Sequence, residues 1–346
     1  MGDLIELMRA RHITSQILKQ QAIALGCHKV GIAQVSPWQE GDPTSPPSLQ
    51  RWLNRGYHAD MVWMSDHRRQ DILKVMPGVR SVICVGINYY TPHKRPSGQK
   101  FAKISRYGWG RDYHRVVGRR LKALALWMQA QEPTIQARYY VDTGPVQDKV
   151  WAERAGIGWL GKHSNLISRD YGSWLFLGEI LTNLDLEPDR PHTQHCGSCT
   201  RCITACPTDA IREPFVVDAN RCIAYHTIEN REAKLPNEIA ENLQGWVAGC
   251  DICQDVCPWN QRFSQETDIP DFQPYPENVA PTLEELATLS VAERDRRFRA
   301  SALRRIKLEM LQRNATASLK ASKQITQRHL HEPPRLPQDE FPSESS

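Results

Sequence analysis

Apolar runs of strand length alternate along this chain with stretches where apolar residues return every three or four positions. Leu4, Leu7, Met8, Ile17 and Leu18 recur at helical spacing within residues 1–26. Residues 29–35 read as a strand ended by Pro37, and the loop GDPTSPPS follows. A helix is expected from Ser48, whose hydroxyl suits a cap, to Arg55. Residues 79–90 form a continuous apolar strand pattern, and after the polar loop TPHKRPSGQK the amphipathic period of a long helix runs from 112 to 131. A strand over 137–141 stops at the turn sequence Asp142, Thr143, Gly144, Pro145. A helix over 146–155, the glycine-bearing loop GIGWLGKHSN and a strand over 171–182 follow. Strands and helices mix without a regular βαβ beat, which predicts an α+β domain over residues 1–190. A cysteine-rich domain is expected over 191–262. Residues 263–330 divide into a proline-rich linker to 282 and a small helical region, and the polar tail 331–346 has the composition of a disordered segment.

The 346 residues suffice for two or three domains, and 40% hydrophobic with 24% charged residues is the balance of a soluble globular protein. No apolar run approaches the ~20 residues of a membrane helix. The start MGDLIELMRARH has the pattern of neither a secretory signal nor a twin-arginine leader, so a cytoplasmic protein is expected. Ten cysteines in a reducing compartment do not read as a disulfide framework. Cys27 and Cys84 sit in apolar strand-like runs and are expected to be buried structural thiols. Net charge is only +5, but residues 291–313 hold eight Arg or Lys against three acids. That run reads as a basic helical face, either solvated or set against a polyanion such as nucleic acid.

The other eight cysteines carry the chemistry. Cys196, Cys199, Cys202, Cys206 and Pro207 form the C-x2-C-x2-C-x3-C-P run of bacterial ferredoxins, in which three cysteines bind one cubane and the fourth reaches a second. Cys250, Cys253, Cys257 and Pro258 repeat the last three-quarters of it, and Cys222 is the missing first member, displaced by a 27-residue insertion. The crossing rule then gives cluster one Cys196, Cys199, Cys202 and Cys257, and cluster two Cys206, Cys222, Cys250 and Cys253. Two zinc tetrathiolates are the alternative, but zinc ribbons use paired C-x2-C knuckles rather than this spacing. Two [4Fe–4S] clusters imply one-electron wiring without naming the acceptor. No Gly-x-Gly-x-x-Gly after a strand and no P-loop signal a nucleotide. The run from Asp112 to Gly118 comes near the D-x-H-x-x-G loop of enzymes that offer histidine to cobalamin. Its glycine is one place late and it falls inside a predicted helix, so His114 reads as a helix-surface or substrate contact rather than a cobalt ligand.

Four blocks together resemble the epoxyqueuosine reductases, tRNA-modifying enzymes: SRYGWGRDYHRVVGRRLKAL, VDTGPVQDKVWAERAGIGWLGKHSNLIS, YGSWLFLGEILTNLDL, and the cysteine domain with RCIAYHTIENREAKLPNEIAENLQGWVAGCDICQDVCPWN. GYHADMVWM fits as well, and LQRNATASL partly matches the family's C-terminal helical repeat. The resemblance implies a nitroreductase-like α/β cobalamin domain of the kind shared with reductive dehalogenases, a two-cluster ferredoxin-like domain and a short HEAT-like helical end. It implies base-off cobalamin between the first two, tRNA as substrate, a monomer, and an external donor such as flavodoxin or ferredoxin. The reaction implied is reduction of the wobble-position epoxide to queuosine. Asp142 is then the expected proton donor, with burial expected to raise its pKa. Ser105, Arg106, Asp142, Ser164, Asn165 and Ser168 are expected around the corrin, with the glycines of GWLGKHSNLIS admitting it closely. Lys149 is expected on tRNA phosphate, with Lys162 a second candidate. The insertion that carries Tyr225 and His226 is expected either to cover cluster two or to serve packing alone, and Tyr57, Trp63 and Tyr107 read either as stacking faces or as core residues. A corrinoid reductive dehalogenase and a non-catalytic electron carrier are the competing readings.

Overall fold

A computed structural model describes residues 13–35 and 46–331. Leu4, Leu7 and Met8, most of the GDPTSPPS loop and all but the first residue of the 331–346 tail lie outside the described residues. Helix α1 (Ser15–Ala24) starts at Thr14, whose hydroxyl accepts from the Ile17 amide, and buries Leu18 and Ala22. Strand β1 (Lys29–Gln34) and helix α2 (Pro46–Asn54) follow, so Ser48 lies inside the helix rather than capping it. Strands β2 (Ser81–Asn88) and β3 (Ala137–Tyr140) flank the long helix α3 (Tyr113–Gln131). Helix α4 (Asp148–Arg154) and strand β4 (Leu175–Thr182) complete the first layer set.

The four strands form one antiparallel sheet in the order β1-β2-β4-β3. β2 is buried along its whole length because both faces of the sheet are covered. Ile83, Val85 and Ile87 point to the side of α1 and α3, among Leu18, Val117, Leu121 and Met128. Val82 and Cys84 point to the other side, against Trp151, Ala152 and Ala155 at α4. The period of two thus sorts one strand between two cores. Cys84 is buried in the second, and Cys27 in the first. Gly31 of β1 lies so close to α4 that a Cβ would stand 1.9 Å from the Ala155 carbonyl oxygen. Gly31→Ala should therefore cost about 1–3 kcal/mol. Gly118 of α3 faces open space, and Gly118→Ala should leave stability unchanged or raise it by up to about 1 kcal/mol. Thermal midpoints of the two variants check this.

Residues 263–282 are not a free linker. Ile269 and Phe272 enter the first core, the Thr267 hydroxyl donates to the Asn88 carbonyl at 2.7 Å, and Asn278 is buried. The apolar residues between the prolines decide this. The basic stretch 291–313 is broken into a helix at Val291–Arg297, a 3-10 turn at Ala302–Arg305 and the start of the long helix Leu308–His331. Phe298, Leu303, Ile306 and Met310 from it share a core with Ala102, Ile104, Trp109 and Val247. No helix among the described residues is long and apolar enough to cross a membrane.

Candidate active site

Asp142 follows β3 in a tight turn. The Thr143 amide donates to the Val141 carbonyl at 2.6 Å, and Asp142 itself has φ 58°. This γ-turn geometry is rare for a residue with a side chain and is stored strain of the kind found at reacting centres. The start of α3 holds the carboxylate in place. Asp112 caps the helix by accepting from the His114 amide at 3.1 Å and also meets His114 Nδ1 at 2.7 Å. His114 Nε2 lies 3.2 Å from Asp142 Oδ2. Both imidazole nitrogens are therefore engaged with carboxylates, and Tyr113 stacks between Phe176 and the imidazole. His114 is neither a free helix-surface residue nor placed as a metal ligand: it is the middle of an Asp112–His114–Asp142 row.

This row reverses the expected titration of Asp142. Burial raises its pKa, but the hydrogen bonds from His114 and Tyr113, with His114 and Arg305 charge nearby, outweigh it and hold the carboxyl below its usual range. Burial lowers His114, but its bonds to Asp112 and Asp142 outweigh that and push it up to about 9. At neutral pH the proton rests on the imidazole. The Asp142 side chain is still 44% exposed, because it opens into a cleft of about 750 Å³. Trp52, Trp63, Arg51, Arg55 and Phe215 line the same cleft. The sequence reading missed all of these except Trp63, since isolated aromatic and basic residues carry no spacing signal.

The eight cysteines lie in two adjoining groups. Cys202 has Cys196, Cys257 and Cys199 as electrostatic neighbours, and Cys257 has Cys196 and Cys199. Cys250 meets Cys253 and Cys222, and Cys222 meets Cys206. Among the described residues no three Cys, His, Asp or Glu side chains close on a single ion. Backbone amides aim at the sulfurs. Ala210 donates to Cys206 Sγ at 3.3 Å, while Tyr225 and Ala224 donate to Cys222, and Asn260 and Trp259 to Cys257. Burial, then neighbouring sulfurs, pushes the Cys202 thiol up to about 11 and the Cys250 thiol far up. A dry ring of such thiols ionises only around a cationic centre. The donor set fits two iron–sulfur cubanes.

The four cysteines of the second set open into a cavity of about 330 Å³ that Ser105, Lys149, Ser164 and Asn165 also line. Lys149 and Ser164 line the Asp142 cleft too, so the two cavities share these walls. His163 lines the smaller cavity. Its Nδ1 accepts from the Asn165 amide at 3.2 Å, which leaves Nε2 to donate, yet Nε2 is buried without a partner. That orphaned donor and the serine and asparagine groups suit a large amide-fringed cofactor between cluster two and Asp142. His163 lies within a stretch the sequence singled out, but its own role was not read there.

Other expected residues are placed differently. Arg106 lines neither cavity; its guanidinium donates to the Thr91 and His93 carbonyls at 3.0 Å and stacks near Trp109. Ser168 closes a turn, accepting from the Asp170 amide, and is fully buried. Lys149, exposed at the cleft, donates to the Ser164 carbonyl and Asn165 Oδ1, both at 2.9 Å. Lys162 donates to the Gly197 and Cys199 carbonyls and fastens the cluster-one loop. Gly158 is forced by protein packing, since a Cβ there would sit 2.1 Å from the Ile167 carbonyl oxygen. In the insertion, Ile223, Ala224 and Ile228 face the cavity, while Tyr225 bonds Asp60 and His226 bonds Asn220 and Asn230. Much of the basic stretch is used internally. Arg294 donates to Arg304 and Ile306 carbonyls, Arg313 to those of His226, Asn230 and Glu232, and Arg305 pairs with Glu229. Arg296, Arg299, Arg304 and Lys307 remain exposed.

Residues 69–143 match the family model described as epoxyqueuosine reductase QueG, DUF1730, and residues 195–260 match the 4Fe-4S double cluster binding domain. An epoxyqueuosine reductase of Synechocystis sp. is 63% identical over 290 residues, 84% of this chain and 100% of that protein. One from Gloeobacter violaceus is 53% identical over 313 residues, 89% of this chain and 97% of that protein. The crystal structure of an epoxyqueuosine reductase with a tRNA-Tyr epoxyqueuosine-modified stem loop superposes with a TM-score of 0.81 at 29% identity, covering 90% of this chain and 82% of that one. The Bacillus subtilis enzyme, solved with an aspartate-bearing catalytic loop swung out of the active site, covers 92% and 86% with a TM-score of 0.78 at 28% identity. With its two-cluster cysteine pattern, its fold and relatives matched over nearly their whole length, this chain belongs to the epoxyqueuosine reductase family.

Proposed function

We propose that this protein reduces epoxyqueuosine to queuosine at the wobble position of tRNA, with Asp142 as the group that hands protons to the departing oxygen. The observation that carries the reading is a pair of adjoining cavities that share Lys149 and Ser164 as walls, one lined by four cluster cysteines and the other by Asp142, which His114 and Asp112 back. A simple electron carrier would have no use for that row. When bound, the clusters supply electrons singly, and cobalamin supplies a metal centre able to gather the two that deoxygenation needs. Ser105, His163, Ser164 and Asn165 would hold the corrin fringe.

The protein's own work is positional and protonic. Substrate entering the cleft removes water from the exposed face of Asp142. In drier surroundings the neutral arrangement, carboxylic acid beside neutral imidazole, gains on the ion pair. Cleft closure therefore moves the proton from His114 toward Asp142, beside the oxygen that must leave. Strain in the Asp142 turn suits a segment with more than one position, as in the swung-out loop of the Bacillus subtilis relative.

Around the mouth, Trp63 is 45% exposed and presents a face for a splayed anticodon base, with Arg51, Arg55 and the exposed basic residues of 296–307 for phosphates. Stacking of this kind is worth about 1–3 kcal/mol, so Trp63→Ala should raise KM for tRNA about 5- to 150-fold with kcat largely kept. We assign the protein to the cytoplasm as a monomer fed by a flavodoxin or ferredoxin. The functional test is anaerobic reconstitution with iron, sulfide and cobalamin, a one-electron donor and epoxyqueuosine-bearing tRNA. Nucleoside mass spectrometry should show the modified base lose one oxygen. Unchanged substrate in a fully loaded, reduced enzyme would refute the reading.

A further inference from the structure

We propose that Glu179 and Asp148 form a second proton store at the wall of the cleft, holding one proton between their carboxyl groups and refilling Asp142 after its first donation. This rests on the reaction proposed above. Glu179 lies in the middle of β4, opposite Cys84 of β2, so its side chain faces α4. It is wholly buried, and neither carboxyl oxygen has a hydrogen-bond partner. Asp148, the first residue of α4, likewise has a buried Oδ1 without a partner. The two carboxyls stand within hydrogen-bonding reach of each other. Two ionised groups so placed would repel with no donor between them, and one proton supplies the missing donor.

The surrounding groups fit. Asp148 is faced by Asp142, Arg69, Lys149 and Glu179, and Glu179 by Asp148, Asp142 and Cys84. Arg69 and Lys149 direct hydrogen bonds to other groups: Arg69 to the Trp63 and Val146 carbonyls, Lys149 to Ser164 and Asn165. Burial, then the charge of Asp142, pushes Asp148 up to about 7, and burial with Asp148 beside it raises Glu179 far more. The stoichiometry also matches. Both C–O bonds of the epoxide break, two electrons leave the carbons joined as an alkene, and the oxygen departs with two protons as water. His114 with Asp142 holds one proton, and the Glu179–Asp148 pair holds the other.

Infrared spectroscopy of the full-chain protein at neutral pH should show a protonated-carboxyl band that Glu179→Gln and Asp148→Asn each abolish. Both variants keep a hydrogen bond across the pair, so iron content, corrin binding and tRNA affinity should stay at wild-type levels. Turnover should fall about tenfold or more, while the decline in rate near pH 9 set by His114 remains. Absence of the band in the wild-type protein overturns the proposal without any variant. A Glu179→Gln or Asp148→Asn enzyme with wild-type rate overturns the refilling role. A wild-type protein that shows the band but leaves the tRNA epoxide intact refutes the proposed reaction instead.

Discussion

Asp142→Asn should keep both clusters, corrin and tRNA binding and lose turnover by about 100- to 10,000-fold, the usual contribution of a placed general acid. Asparagine preserves the size of the side chain and can still meet His114, whose Nε2 lies 3.2 Å from the carboxylate. It cannot pass on a proton. The same change removes one of the two carboxylates that hold His114 up at about 9, so the imidazole pKa should fall. NMR titration of His114 reads this directly. The sign for wild-type activity follows from which group stores the proton. His114 is charged below about 9, so turnover persists across neutral pH and is lost as pH rises through that value. The same linkage acts on stability: the raised pKa contributes below the ordinary histidine value near 6.5, and that contribution disappears as pH passes about 9. An Asp142→Asn enzyme that turns over normally, or a His114 that titrates near 6.5, contradicts the proton row.

The second large effect concerns the crossed ligands. Cys206 lies in the first cysteine run but groups with Cys222, while Cys257 lies in the second and groups with Cys196 and Cys199. Removing two ligands of the same cluster should cost that cluster alone, whereas removing one from each should cost both. Cys206→Ser with Cys222→Ser should therefore leave about four iron atoms per chain, and Cys206→Ser with Cys257→Ser should leave almost none. Both double variants should be inactive, because either cluster breaks the path to the cavity. Iron analysis and EPR of the reduced proteins separate the outcomes. If the Cys206, Cys222 pair instead leaves almost no iron, ligation follows sequence order and the crossing is wrong.

The metal chemistry was legible in the sequence because thiolate spacing is a local constraint: a loop that wraps a cubane has few possible lengths. The strand pattern was legible for a similar reason, since β2 runs apolar from Val82 to Ile87. What spacing could not show is which distant groups meet. Asp142 was found through resemblance, but its titration was misjudged, because the reading weighed burial and had no means of placing His114 beside it. The D-x-H run was weighed for metal binding, while its actual partners lie at its own cap and 28 residues downstream. Lys149, Lys162 and much of the 291–313 stretch looked free for phosphate. In the fold their charges meet carbonyls, amides and Glu229, a use of arginine and lysine that leaves no trace in composition. Glu179 was invisible for the opposite reason: one acid in an apolar strand reads as an exception until the sheet register sets it facing α4 and Asp148.

The most direct test is a single turnover by pre-reduced protein on epoxyqueuosine-bearing tRNA, run with iron-loaded enzyme in the presence and absence of bound cobalamin. The account predicts about eight iron atoms per chain and loss of the nucleoside's epoxide oxygen only in the corrin-loaded sample. Equal product without the corrin, or active protein carrying zinc in place of iron, would contradict it.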